Sequence, residues 1–347
     1  MAMLNRWWRP VIGALALVIG AAACGGSSSS SSTPSHQLSI VSIGDSLASG
    51  EGIAYGYTYD NAPPTPHWVG GTPNPTWAGP YQQCHQTTAA YGAVVAQARK
   101  ARFTNLACTG STYVDGITGP WSFPPSPTAP AQFGDWATKT NLNPVYDQAA
   151  PDVVLVTFGA DDVKFKDLLV SCVVAAVTDP NVCSQQDPGP IAKTSVLDQL
   201  PNLGQRYRSL AAAIQARGQA AHPSKVPFIV FTGYPNPLPA ANANISFTAC
   251  PDAAHLGAPQ IAFLSSLLQL QLRTLQGAVG GMKGVAVADV TGVLAGHQWC
   301  SADPWAYGAS VLALNLQSQA PVHPTAQGQH AVAQVVLKAI PSNPNGG

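Results

Sequence analysis

The chain has 347 residues with 16 basic and 16 acidic side chains, and only 9% of its residues are charged, against about 25% in an ordinary soluble domain. Hydrophobic residues make up 46%, which excludes disorder of the high-charge, low-hydropathy kind. No basic stripe is available to neutralise phosphates, so a nucleic-acid partner is excluded as well.

Arg6 and Arg9 precede an apolar run from Val11 to Ala23. Those 13 residues are too few to span a bilayer, which takes about 20, and they match the apolar region of an export signal at 1–23. The run ends Ala21-Ala22-Ala23-Cys24, followed by two glycines and the serines Ser27 to Ser32. This resembles a bacterial lipoprotein signal, in which the cysteine is lipidated and becomes the new N-terminus. Ala21 stands where such signals usually carry Leu, and cleavage after an Ala-x-Ala is the alternative. Residues 24–37 then form a flexible Gly/Ser tether. The expectation is an exported protein, held to the outer face of the membrane through Cys24 or released.

Strand candidates follow at Leu38–Gly44, Arg102–Leu106, Asp152–Phe158, Val226–Phe231 and Val285–Val290. Several are short, continuous and rich in β-branched residues, as strands buried on both faces are. Between them lie helical patterns at Ala89–Ala101, Val196–Arg217 and Leu256–Val279, the last with Leu264, Leu267, Leu268, Leu272 and Leu275 on one face. The alternation predicts one α/β domain over 38–342 with a mainly parallel sheet. Two Pro/Gly/aromatic stretches, roughly 53–83 and 117–135, are long for connections and read as functional loops. Apart from Cys24 there are six cysteines, Cys84, Cys108, Cys172, Cys183, Cys250 and Cys300. In an exported chain they read as a disulfide set with 15 formal connectivities. No CxxC pair or His cluster points to a metal.

The chemistry begins at Ile43-Gly44-Asp45-Ser46-Leu47, a serine just past a buried strand, at the sheet edge where open α/β sheets hold ligands. Alone this is an ordinary turn with a helix cap. Three later segments change its weight: Leu106-Ala107-Cys108-Thr109-Gly110-Ser111, Phe158-Gly159-Ala160-Asp161-Asp162, and Ala320-Pro321-Val322-His323-Pro324-Thr325. In this order the four blocks resemble those of the SGNH (GDSL) hydrolase family, most of all its secreted actinobacterial esterases and lipases with three disulfides. Phe231-Thr232-Gly233-Tyr234-Pro235 and the segment 296–305 are similar to parts of that group too. The resemblance spans about 38–340. It implies a three-layer, flavodoxin-like α/β/α fold with a five-stranded sheet.

It also implies an ester hydrolase without a cofactor, acting as a monomer on a lipid or short-chain ester, or on an acetylated envelope polysaccharide. A non-catalytic binding lipoprotein on the same scaffold is the alternative of a different class. By resemblance Ser46 is the nucleophile and His323 its general base. The N–H groups of Ser46 and Gly110 form the oxyanion hole. The family's pairing of cysteines is sequential, Cys84–Cys108, Cys172–Cys183 and Cys250–Cys300.

Two positions depart from the family. Asp161 replaces an asparagine that donates to the oxyanion, and an ionised carboxylate only accepts. Ala320 replaces the aspartate that orients the histidine, so the expectation is a Ser46–His323 dyad with the Ala320 carbonyl as orienter and Asp303 as a distant alternative. Glu51, His85, His297 and His330 read as structural, whereas Trp68, Trp77 and Trp121 are either staples of the loops or a binding wall.

Overall fold

The computed structural model describes residues 37–62, 66–122, 129–133, 150–179, 182–184, 187–189, 192–223, 225–240, 250–253 and 256–344. The export signal, Cys24 and the tether up to residue 36 lie outside them.

The chain opens with β1 (Ser39–Gly44), a one-turn helix α1 (Ser46–Ser49), and a hairpin of β2 (Tyr57–Asp60) and β3 (His67–Gly70). Next come α2 (Tyr91–Ala98), β4 (Arg102–Asn105), β5 (Val153–Thr157) and α3 (Phe165–Ala175). The second half holds α4 (Asp198–Ala221), β6 (Phe228–Thr232), α5 (Ala258–Val279), β7 (Val285–Ala288), α6 (Val311–Leu314) and α7 (Ala326–Ala339). Every strand expected from the sequence forms with bounds shifted by no more than two residues; four are shortened, and the fourth in sequence starts at Phe228 and runs one residue further, to Thr232.

Five strands make one sheet in the order β4-β1-β5-β6-β7, and every neighbouring pair is parallel. Alternate residues build two separate cores. Val41, Ile43, Val154, Val156, Ile229 and Phe231 point to one face and pack with α3, α4 and α5. Ile40, Val153, Leu155, Val230 and Ala288 point to the other and pack with α2 and α7. The five leucines predicted to share a face of α5 are all buried. A sheet covered on both faces leaves its strands no polar side, which is why they read as unbroken apolar runs. This is the expected three-layer α/β/α architecture. The chain leaves β1 toward β4 and returns on the other side of β1 to β5, so the strand order reverses between β1 and β5. Ligands of open α/β sheets bind outside the carboxyl ends of the strands at such a reversal, and Ser46 lies there.

The segment 53–83 is more ordered than a loop. It contains β2 and β3, paired antiparallel with Tyr59 opposite Trp68. The alternation Tyr57-Thr58-Tyr59 is a strand signal, but Pro63, Pro64 and Pro66 obscure the turn that joins it to its partner. The disulfides Cys84–Cys108, Cys172–Cys183 and Cys250–Cys300 form. Three disulfides are the covalent signature of a protein that leaves the reducing cytosol. No helix among the described residues is long and apolar enough to cross a membrane.

Candidate active site

The serine turn is built by its neighbours. Gly44 closes β1 at φ +149°, and a Cβ there would lie 2.0 Å from the Thr157 carbonyl oxygen, so only glycine fits. Gln132 clamps the same residue: Gly44 N–H donates to its Oε1 at 2.6 Å, and its Nε2 donates back to Gly44 O at 2.8 Å. Asp45 caps α1, with Leu47 N–H donating to its Oδ1 at 3.1 Å. Ser46 is left as the first helical residue, partly exposed between buried neighbours.

Opposite it, His323 Nε2 lies 2.7 Å from Ser46 Oγ. Antiparallel pairing with Tyr307 holds the histidine: Tyr307 N–H donates to His323 O at 2.9 Å, and Val322 N–H donates to Tyr307 O at 2.8 Å. The residues 320–323 make a tight turn in which His323 N–H donates to Ala320 O at 3.0 Å, with Pro321 and Val322 at its centre. Val322 has φ +69°, rare for a β-branched residue but the conformation a type II turn requires at its third position. The central peptide is thereby flipped relative to a type I turn.

This corrects the expected orienter. His323 Nδ1 donates to the carbonyl of Pro321 at 3.1 Å, because the Ala320 carbonyl already closes the turn. The carbonyls of Gln319 and Ala320 stay close enough to favour the charged imidazole. Asp303 is not the acid. It is exposed and engages His297 Nδ1 at 3.3 Å and Trp305 Nε1 at 3.0 Å. Asp303→Asn should leave ester hydrolysis within about twofold of the native rate, since a surface ion pair is worth little; a steady-state rate measurement checks this. Burial lowers the His323 pKa below its usual value, partly offset by the charge of Glu51 and the facing carbonyls, so the ring is neutral and can accept a proton near pH 7.

The loop that carries Gly110 follows from sheet register. Leu106 N–H donates to Ser42 O at 2.8 Å and Cys108 N–H to Gly44 O at 3.0 Å, so the chain beyond β4 keeps pace with β1 and then turns into Gly110. Gly110 sits at φ +74°, where a Cβ would meet only Trp121 Nε1, at 3.9 Å. Neither its N–H nor that of Ser46 donates to an acceptor among the described residues. The Cys84–Cys108 disulfide and the bond from Gln132 Nε2 to Ser111 Oγ, 2.9 Å, brace this loop.

Three aspartates cluster behind the serine. Asp162 is structural: it accepts from Arg206 at 2.6 Å and from Tyr113 N–H at 3.1 Å. Asp45 is buried and accepts a hydrogen bond from the Tyr234 hydroxyl; burial first, then the charge of Asp161, raises its pKa. Asp161 accepts no side-chain hydrogen bond among the described residues. Desolvation, followed by repulsion from Asp162, pushes its pKa up to about 6.

A cavity of about 80 Å³ opens beside Ser46 and His323, lined by Leu47, Phe165, Tyr234, Leu268 and Val322. The tryptophans of the long loops are staples rather than a binding wall: Trp68, Trp77 and Trp121 are 4%, 7% and 3% exposed. Trp68 and Trp77 join Tyr55, Tyr57, Tyr307 and Ala320 in an aromatic cluster that backs the His323 turn. His85 stacks on Trp77 and His297 on Trp305, and His330 is exposed on α7. Sequence reasoning missed Gln132 and Tyr234 as organisers. Tyr234 lay within a quoted block, whereas nothing local marks Gln132.

No protein-family signature matches the chain, and no curated protein matches it. Solved structures do. An extracellular lipase from Streptomyces rimosus aligns over 87% of this chain and 99% of its own at 20% identity, with a TM-score of 0.55. Phospholipase A1 from Streptomyces albidoflavus aligns over 88% of this chain and 100% of its own at 20% identity, with a TM-score of 0.57. The expected three-layer architecture and the sequential disulfides are thus both observed, and the chain shares its fold with these two Streptomyces enzymes.

Proposed function

We propose that the protein is a serine ester hydrolase in which Ser46 and His323 act as a dyad. The observation that carries this reading is the 2.7 Å approach of His323 Nε2 to Ser46 Oγ, with Nδ1 of the same ring held by a main-chain carbonyl. His323 takes the serine proton as Oγ attacks the ester carbonyl, and the N–H groups of Ser46 and Gly110 receive the oxyanion. The imidazolium then protonates the leaving alkoxide, and water repeats the cycle on the acyl-serine with the same groups. No step needs a metal or cofactor, and the residues sit on one chain, so a monomer suffices.

The cavity beside Ser46 is the natural seat of the acyl group. Its size favours a short acyl chain over a fatty one, which supports a short-chain ester ahead of a lipid ester. An acetyl group on an envelope polysaccharide meets the same limit, and release of acetate from acetylated glycans tests that second substrate. Each buried methylene is worth about 0.8 kcal/mol, or roughly fourfold in kcat/KM, until the pocket is full. We therefore expect p-nitrophenyl esters to gain up to a short optimum and then lose rate. Leu268→Ala or Phe165→Ala should move that optimum to chains at least two carbons longer. An optimum that stays in place in both variants would remove this cavity as the acyl site. Lipidation at Cys24 would hold the enzyme at the outer face of the membrane; mass spectrometry of the mature N-terminus distinguishes this from simple signal cleavage.

A further inference from the structure

Among the described residues no carboxylate lies at hydrogen-bonding distance of the His323 ring, yet one is buried close by. Glu51 is the only glutamate in the chain and is 0% exposed. It follows α1 directly, with its N–H donating to Ser46 O at 3.0 Å. The next residue, Gly52, packs on the histidine turn: a Cβ there would come within 3.0 Å of Ala320 Cβ and 2.9 Å of the Tyr307 ring. The carboxylate therefore lies between the turn that carries the nucleophile and the turn that carries the base.

Its contacts are built for a carboxylate. Glu51 Oε1 accepts from Gly52 N–H at 3.0 Å, Oε2 meets His85 Nδ1 at 2.6 Å, and the Thr109 hydroxyl bonds to the same carboxylate. A glutamine, with one acceptor oxygen and a donor amide, could not accept on both sides. The groups facing Glu51 are His85, Thr109, the Tyr55 phenol and His323. Those facing His323 are Ser46, the carbonyls of residues 319–321 and Glu51. Among the described residues Glu51 is the charged side chain that bears on the imidazole, and each group favours the charged form of the other.

We propose that Glu51 is a positioning residue for the esterase reaction, whose buried charge stabilises the His323 imidazolium across space in place of an aspartate bonded to Nδ1. The proposal rests on the reading of Ser46 and His323 as the catalytic pair. The charge strengthens His323 as a base while serine attacks, and it remains when the imidazolium protonates the leaving group, so it lowers both barriers without touching substrate.

The test compares wild type, Glu51→Gln and Glu51→Asp by melting temperature, by kcat and KM on one short-chain ester, and by the pH dependence of kcat/KM. Glu51→Gln should stay folded, melting somewhat below wild type for the acceptor it loses, with KM unchanged; its acid limb should move down by about one pH unit, with kcat roughly tenfold lower at neutral pH. Glu51→Asp, which keeps the charge, should retain the position of the limb. A folded Gln variant with an unmoved limb overturns the proposal. So does a limb that shifts equally in both variants, because the contacts and not the charge would then matter. Wild type that fails to react with a fluorophosphonate at Ser46 overturns instead the reading on which the proposal rests.

Discussion

Ser46→Ala is expected to lower kcat for ester hydrolysis by about a millionfold while leaving the melting temperature within a few degrees of wild type. The serine hydroxyl makes one strong contact, with His323, and contributes nothing to either core. Its loss removes the covalent route but not the fold. His323→Ala should cost a similar factor, because a base without its nucleophile and a nucleophile without its base are equally idle. The double variant should then be no worse than either single one, the mark of residues that act as a unit. The residual rate over water would come from the N–H groups of Ser46 and Gly110 and from binding. Steady-state rates on a p-nitrophenyl ester, with circular dichroism to establish the fold, decide it. Independent, additive losses would mean that the two side chains do not share a step.

Asp161→Asn has the second largest expected effect, and here the variant should be the better enzyme. Asp161 stands where the resemblance places a side-chain donor to the oxyanion. With its pKa raised to about 6 by burial and by Asp162, it is mostly ionised above pH 7 and can donate only in acid. Asparagine donates at every pH. The two proteins should therefore hydrolyse esters at similar rates near pH 5, and the variant should lead by tenfold or more at pH 8. A ratio independent of pH would place Asp161 outside the oxyanion hole.

Stability should follow the same titration. The carboxyl pKa rises from 3.8 in the unfolded chain to about 6 in the folded one, so the native state holds the proton more tightly. That contribution is fully present below about pH 4 and is lost as the pH climbs through 6. Asp161→Asn should accordingly stabilise the protein above pH 6, by up to about 3 kcal/mol and less to the extent that solvent screens the site. Below pH 4 the two should unfold alike. Thermal melts at pH 4 and pH 8 measure the difference.

The strands and the leucine face of α5 were legible because a sheet buried on both faces and a helix buried on one leave periodic apolar patterns. The approach of Ser46 to His323 was legible because both lie in recognisable blocks, one just past a strand and the other just before a helix. The orienter of His323 was not. Which main-chain carbonyl meets Nδ1 depends on the flip of the 321–322 peptide, and that depends on Val322 adopting a conformation its own propensity disfavours. Pairing with Tyr307 imposes it from 15 residues away in sequence. Gln132 was hidden for the same kind of reason: its partners are Gly44 and Ser111, distant in sequence, and glutamine carries no local signature. The hairpin of β2 and β3 was masked by prolines at its turn. Glu51 could be found as the sole glutamate, but only the fold shows that its main chain bonds the Ser46 turn while its carboxylate is buried.

Reaction with a fluorophosphonate, followed by peptide mapping, addresses the dyad most directly. The reagent requires a serine made nucleophilic by a neighbouring base and held beside oxyanion donors. The account predicts stoichiometric modification at Ser46, accompanied by loss of esterase activity, and no modification of Ser46 in His323→Ala. Activity that survives complete modification of Ser46, or an active enzyme whose Ser46 stays unmodified, would contradict it.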